Sequence, residues 1–495
     1  MTRAYSVIKL MNVTLLKTCV ALLFALLVAA GCSPSKQEKV IILHTGRMAG
    51  NVYPMELKGL APLQYYPYLA AYVAQVRSDA QKNGDQVLLV DSGDSLLGSF
   101  ASHTTQAQNV VTLFNELHYD AIFLGNLDAN LDEAMLQTLK APVLIPFIRE
   151  SSRPAMVGTH LGLKLLRGNR EIILLPNFYG DTSRASAPYR FPVWFGSNPS
   201  EVGPLREYHS SLNSLAPISP EAFVLFLWMK FEVTGNVPVA FLEQLKSWGV
   251  HAILGHTIYG STSRETWKQR DFSSWGIPVS ENILRENRGF TVARLDLVRT
   301  GKGWKQEGST QLIPLSANIA KADPLIIQKM RNFADTIRQA DEVLGQLNER
   351  VNEEALLKYH LSTLGKTPRA NLVFYSATSI RGSLDSGKLT ASKFYNVIPW
   401  TNELSLIELN TEQLAKMRKM KGFVLLSQPD ASRKPVVVSS RYFTRLLQDA
   451  LGLEDSQIKV IAPNEFEFAK NMIKTSGVMP SANPQLGGWI YEKLE

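Results

Sequence analysis

Three short segments each run an apolar stretch into a residue able to hold a metal ion. Val87 to Val90 leads into Asp91-Ser92-Gly93-Asp94, Ala121 to Leu124 into Gly125-Asn126, and Ala252 to Leu254 into Gly255-His256. Carboxylate, amide and imidazole are donor types that bind hard and borderline divalent cations. Apolar runs of this length closed by glycine read as buried strands ending in tight turns. In open α/β sheets the carboxyl ends of strands are where ligands collect. Asp94, Asn126 and His256 therefore outline a metal centre.

The elements that must position these residues can be read from the same pattern. Val40 to His44 is a first strand, and Pro62 to Asp79 is mostly helical, with Leu69, Val73 and Val76 on one face and Pro67 in the first turn. Strand 87–91, a helix over Gln108 to Leu117, strand 120–124, a helix over 131–139 and strand 143–145 follow. Ile172 to Leu175, Phe223 to Met229 and Thr291 to Val298 read as further strands, and Val239 to Trp248 as a helix. Strands alternating with helices argue for layered α/β architecture. Ile326 to Glu349 reads as one long helix linking two domains.

These motifs, in this order, resemble the 5'-nucleotidase family: a calcineurin-like metallophosphoesterase domain followed by a C-terminal nucleotide-binding domain. The resemblance implies an α/β fold built of a four-layer metallophosphoesterase β-sandwich flanked by helices, a linker helix, and a second α/β 5'-nucleotidase C-terminal domain. Expected boundaries are 1–31 for a signal peptide, 32–39 for a tether, 40–320 for the first domain, 321–350 for the linker helix and 351–495 for the second domain.

Most of the family's ligand positions are altered. The first motif is Leu43-His44-Thr45-Gly46-Arg47-Met48-Ala49-Gly50, where Arg47 replaces the ligating aspartate and Ala49 the ligating histidine. Asp94 matches the bridging aspartate, and Asp91 reads as its structural partner. Asn126 matches the asparagine ligand, but Leu127 stands at the catalytic histidine and cannot protonate a leaving group. Asp128 keeps the carboxylate that would have oriented that histidine and is left with nothing to orient. Met229 stands near an expected histidine, and a thioether suits hard divalent ions poorly. His256 keeps the first histidine of Gly-His-x-His, and Ile258 replaces the second. Residual metal positions are thus Asp94, Asn126 and His256, and no catalytic residue is assigned. His103, in the loop after the Gly-Asp turn, is the best outside candidate for a rescuing ligand.

A guanidinium at position 47 admits two readings. It pairs with Asp94, and with Asp91, replacing the charge of a lost cation, or it clamps an anionic ligand directly. Internal repair is preferred, because the carboxylates are certain partners. In the second domain Arg381 matches the family's substrate-binding arginine, within Tyr375-Ser376-Ala377-Thr378-Ser379-Ile380-Arg381. Phe423 and Phe466 are the candidates for the pair of rings that would sandwich a base, with core packing as the competing reading of both.

The N-terminus carries a short apolar run, Cys19 to Val28, then Ala29-Ala30-Gly31-Cys32. It is too short to span a bilayer comfortably, and it resembles a bacterial lipobox with Cys32 as the lipidated residue; an uncleaved anchor or an ordinary signal peptide are the alternatives. Translation from Met11 would give a more usual signal length. Cys19 and Cys32 are the only cysteines, so a lipidated mature chain has no thiol for a disulfide. The expected place is the bacterial cell envelope, lipid-anchored at the outer membrane, with the side unresolved. Net charge is +8, and loss of Arg3, Lys9 and Lys17 with the signal leaves +5, with no basic-aromatic block to suggest nucleic acid.

Three functions compete. The first is a catalytically inactive 5'-nucleotidase-like lipoprotein, acting as a binding or scaffold component with an envelope protein partner and no cofactor. The second is a phosphoester hydrolase with one divalent metal, Zn, Mn or Mg. The third is a nucleotide- or anion-binding sensor.

Overall fold

Strand β1 (Lys39–Thr45) is buried along its whole length after Lys39, as befits a strand covered on both faces. The computed structural model describes residues 38–50, 65–125, 128, 131, 133–144, 159–160, 162–167, 170–177, 222–231, 239–247, 249–257, 277–283, 291–301, 303–316, 318–377, 379–428 and 433–494. The expected signal peptide, Cys32 and most of the tether lie outside the described residues.

Strands β2 (Gln86–Asp91), β3 (Ala121–Phe123), β4 (Val143–Leu144) and β5 (Thr159–His160) continue from β1 as a parallel series. The register sets Val40 opposite Gln86 and Thr45 opposite Asp91. A second sheet comprises β6 (Leu163–Arg167), β7 (Arg170–Asn177), β8 (Phe223–Phe231), β9 (Val250–Thr257) and β10 (Val279–Ile283), in the order β10-β9-β8-β7-β6. The chain then returns to the first sheet through β11 (Thr291–Thr300), antiparallel to β1, with β12 (Gly303–Gln306) and β13 (Gln311–Pro314) beside it.

Side chains on a strand alternate between faces, and here each face has its own partner. Val40, Ile42, Leu88, Val90 and Phe123 of the first sheet meet Ile172, Leu174, Phe223 and Leu225 of the second. Ile41, Leu43, Leu89 and Ile122 point the other way, into a layer that includes the helices Tyr65–Asn83, Gln108–Leu117 and Pro324–Arg331. The helix Val239–Ser247 packs on β9 of the second sheet. Helix, sheet, sheet, helix is the four-layer order expected.

The linker is not one helix. It is Pro324–Arg331, then Ala334–Ala340, then the strand β14 (Val343–Leu347). The reason lies in what each piece must face. Ile326 and Met330 are buried against the first domain, whereas Ile337 and Leu344 join the core of the second, with Phe333 packed against it. One straight helix cannot turn its apolar stripe to both, so the chain breaks at Asn332-Phe333.

The second domain pairs β14 with β16 (Gly387–Thr390). It also builds a larger sheet from β15 (Leu372–Ser376), β17 (Leu404–Glu408), β18 (Phe423–Ser427), β19 (Val436–Ser440), β20 (Ile458–Ala462) and β21 (Ile490–Leu494). Its order is β20-β17-β19-β15-β18-β21. Helices Glu353–Gly365 and Glu465–Ser476 begin on Asn352 and Asn464, whose side chains accept backbone N–H bonds from the first turn. Among the described residues, no helix is long and apolar enough to cross a membrane.

Candidate functional site

The loops that leave β1 and β2 run side by side. Ser92 N–H donates to the Thr45 carbonyl at 2.9 Å, Arg47 N–H to Gly93 at 2.7 Å, Ala49 N–H to Asp94 at 2.9 Å and Gly50 N–H to Ser95 at 2.9 Å. Parallel strands in register deliver both loops to one edge, and this ladder extends their pairing beyond the sheet. The ladder is held in an unusual backbone: Arg47, Ala49 and Asp94 have φ of 51°, 49° and 57°. Left-handed conformations cost a non-glycine residue about 1 kcal/mol or more each, and such strain gathers at functional sites.

Asp91 is fully buried. It accepts Thr45 Oγ1 at 2.7 Å, Ser95 Oγ at 2.8 Å and Gly93 N–H at 2.8 Å. Thr45 spends its one proton on Asp91, so the contact with the Tyr119 hydroxyl at 2.9 Å has tyrosine as donor. Burial pushes the Asp91 carboxyl up to about 6, the hydrogen bonds opposing it.

Asp128 has a task that the sequence did not reveal. Its carboxylate accepts Leu96 N–H at 2.8 Å, Leu97 N–H at 3.1 Å, Gly125 N–H at 3.0 Å and Ser95 N–H at 3.3 Å. The residue expected to have nothing to orient instead ties the turn after β3 to the loop after β2. Burial, then the neighbouring Asp94 charge, raise its pKa.

Asp94 is 2 % exposed and lies directly on Gly125. A Cβ added there would sit 2.2 Å from both the Asp94 nitrogen and Oδ1. Only glycine permits that approach. Arg47 is half-buried at the same junction. The structure thus brings Arg47, Ala49, Asp91, Asp94 and Asp128 together at the carboxyl ends of β1 to β3. Asn126, Leu127 and Ile258 lie outside the described residues. Met229 and His256 are placed by backbone alone, at the carboxyl ends of adjacent β8 and β9, where Lys230 is opposite His256.

Two of the three buried carboxylates here, Asp91 and Asp128, are saturated by protein donors, and the side chains of Arg47 and Ala49 offer no metal donor. Of the expected metal positions, Asp94 is the one whose side chain is described; Asn126 and the side chain of His256 lie outside the described residues. Among the described residues, no group of three or more His, Cys, Asp and Glu side chains is gathered as a metal site.

In the second domain Arg381 is exposed, with its guanidinium 5.2 Å from the Trp400 ring. Phe423 stacks on Phe374 at 4.8 Å, with Phe443 at its edge. Phe466 is fully buried and belongs to a different aromatic group, with Tyr395 at 4.9 Å and Phe394 at 6.0 Å. The two candidate rings therefore have separate neighbours. His103, considered as a spare ligand, has its ring among the aromatic side chains of the second domain. It stacks on Tyr395 at 5.3 Å and meets Phe466 edge-on at 5.8 Å.

A cavity of about 420 Å³ opens at the far end of β2, among Arg77, Asp85, Asp120 and Arg167. Its charges cancel, and Arg77 already caps the helix Gln108–Leu117 by donating to the carbonyls of Leu117 and His118. The site remains with the β1 and β2 loops.

No protein-family model matches the sequence, and no curated protein matches it. Solved structures do. The chain superposes on a 5'-nucleotidase precursor from Thermus thermophilus with a TM-score of 0.61 at 13% identity, covering 89% of this chain and 97% of that one. A putative 5'-nucleotidase from Staphylococcus aureus, in complex with alpha-ketoglutarate, gives 0.62 at 14%, covering 88% and 96%. The sulfate thiohydrolase SoxB from Thermus thermophilus gives 0.54 at 13%, covering 88% and 94%. The last of these bears a different activity on a similar frame, so this likeness speaks for architecture and leaves the substrate open. Both domains are covered in each case, and the chain has the two-domain fold of the 5'-nucleotidase family.

Proposed function

We propose that this chain is a catalytically silent 5'-nucleotidase-like lipoprotein, anchored through Cys32 at the bacterial outer membrane, where it serves as a binding or scaffold component for an envelope protein partner. The observation that carries the reading is Arg47. Its backbone N–H donates to the Gly93 carbonyl, which sets residue 47 beside the β2 loop, at the position that the family resemblance aligns with a metal-binding carboxylate. A guanidinium there repels divalent cations and supplies the counter-charge that buried Asp94 needs. Leu127 at the catalytic-histidine position removes the proton donor as well. Asp91 and Asp128 keep the shape of the site without its chemistry.

One observation favours a binding role over a purely structural one: Arg381 is exposed and oriented by the Trp400 face, an arrangement suited to a phosphate or carboxylate. The test is a pair of assays on the full chain in detergent. Nucleoside monophosphates with Mn²⁺ or Zn²⁺ should show no hydrolysis above the buffer rate. Titration with adenosine monophosphate, followed by calorimetry, should give saturable binding lost in Arg381→Ala if the protein is a sensor, and none if the role is scaffolding. Turnover that disappears in His256→Ala would replace the proposal with a one-metal hydrolase built on Asp94, Asn126 and His256.

A further inference from the structure

A five-residue helix, Phe100–Thr104, belongs to the first domain by sequence and to the second by packing. Phe100 and Ala101 are 4 % and 2 % exposed, and they are buried in the hydrophobic core of the second domain. Phe100 meets Tyr395 edge-on at 5.9 Å. One turn later the His103 ring packs against both Tyr395 and Phe466, with its Nε2 3.9 Å from Glu467 Oε1. Glu467 in turn holds Lys470 at 2.6 Å, and His103 draws the Glu467 carboxyl down to about 2.

The other end of the helix is fastened to the site loops. Ser99 caps it by accepting Ser102 N–H, while its hydroxyl donates to the Gly50 carbonyl at 2.5 Å. Gly50 is so close that a Cβ would stand 2.2 Å from Ser102 Oγ. Four residues upstream of Ser99, the Ser95 carbonyl accepts Gly50 N–H, and its hydroxyl binds both Met48 N–H and Asp91. The loop carrying Arg47, the loop carrying Asp94 and the aromatic group of the second domain are thus joined through one short rigid piece.

We propose that the Phe100–Thr104 helix is an interdomain latch: it holds the second domain in one orientation against the site loops and couples the mobility of the two. Burying an aromatic ring in the partner domain's core supplies the hold, and the His103–Glu467 contact closes its rim. The latch is independent of whether the site is silent, because it rests on packing and hydrogen bonds and on no catalytic step.

Hydrogen exchange by mass spectrometry on the full chain in detergent tests it, comparing the parent with Phe100→Ala and the milder His103→Ala. Cavity formation at Phe100 should raise exchange about tenfold or more in peptides covering 391–397 and 465–470 and, together with them, in those covering 46–50 and 91–99. Peptides covering 404–408 and 436–440 should not change. His103→Ala should give the same pattern at smaller amplitude, which guards against misfolding of the first variant. Faster exchange on one side only, or none on either, would overturn the coupling.

Discussion

Each domain buries carboxylates, and the two do so differently. At the first domain's loops Asp91 and Asp128 are surrounded by neutral donors, hydroxyls and backbone N–H groups, on a backbone strained at Arg47, Ala49 and Asp94. In the second domain Glu465 is fully buried against a single histidine: His360 Nε2 lies 2.7 Å from Glu465 Oε1, and the Tyr375 hydroxyl donates to the same oxygen. The second arrangement ties the helices Glu353–Gly365 and Glu465–Ser476 to β15 on ordinary helical and strand backbone. The first holds loops in a shape that packing alone would not choose. Strain together with buried carboxyl groups marks a place built for chemistry, whereas a buried carboxyl group on relaxed backbone marks a structural tie.

The largest effect should come from cutting that tie. Glu465→Leu leaves the His360 imidazole and the Tyr375 hydroxyl buried without their acceptor, and should cost the second domain about 3 kcal/mol or more. Urea unfolding followed by the aromatic signal checks it. A loss below about 1 kcal/mol would mean that the pair is no stronger than a surface one.

Next comes Gly125→Ala, whose Cβ would collide with the Asp94 backbone and carboxylate. Displacing both should cost about 2 kcal/mol and appear as a lowered midpoint in thermal unfolding of the first domain.

Asp91 sharpens the comparison through pH. Its folded pKa, about 6, lies above the ordinary value of 3.8, so the native state holds the proton more tightly than the unfolded one. Its contribution therefore favours folding below about pH 4 and is lost as pH rises through 6, a fall on the order of 2–3 kcal/mol. Asp91→Asn should flatten that slope in a series of unfolding curves between pH 4 and 7. Glu467, with its depressed pKa, acts in the opposite sense. Its contribution is present above the ordinary glutamate value of 4.5 and is lost as pH falls toward 2, meeting the Asp91 window only near pH 4.

The smallest stability effect is expected at Arg381. Replacing it with alanine removes a contact over Trp400 at an exposed position, worth about 0.5–1 kcal/mol. A loss much greater than that would show that Arg381 serves the fold instead of facing a ligand.

Strands and helices with strong period were legible in the sequence: β1 and β2 within a residue at each end, and the helix Gln108–Leu117 at its ends. Their apolar spacing is set by the layers that cover them. The helix Phe100–Thr104 was not, since five residues carry too little period and its capping serines resemble loop. The break at Asn332-Phe333 was missed because the pattern 326–349 stays amphipathic while the partner surface changes. The loop motifs were legible as positions through family resemblance. What Asp128 does was not, because its four donors lie up to 33 residues away in the chain. The neighbours that separate Phe423 from Phe466 are likewise long-range.

Metal content tests the central claim most directly. The full chain in detergent, together with Arg47→Asp and His256→Ala, would be dialysed against Mn²⁺ and Zn²⁺, then against buffer, and assayed by elemental mass spectrometry. A silent site predicts near-zero metal in the parent chain, with any gain confined to Arg47→Asp. One tightly held ion per parent chain, absent from His256→Ala, would contradict it.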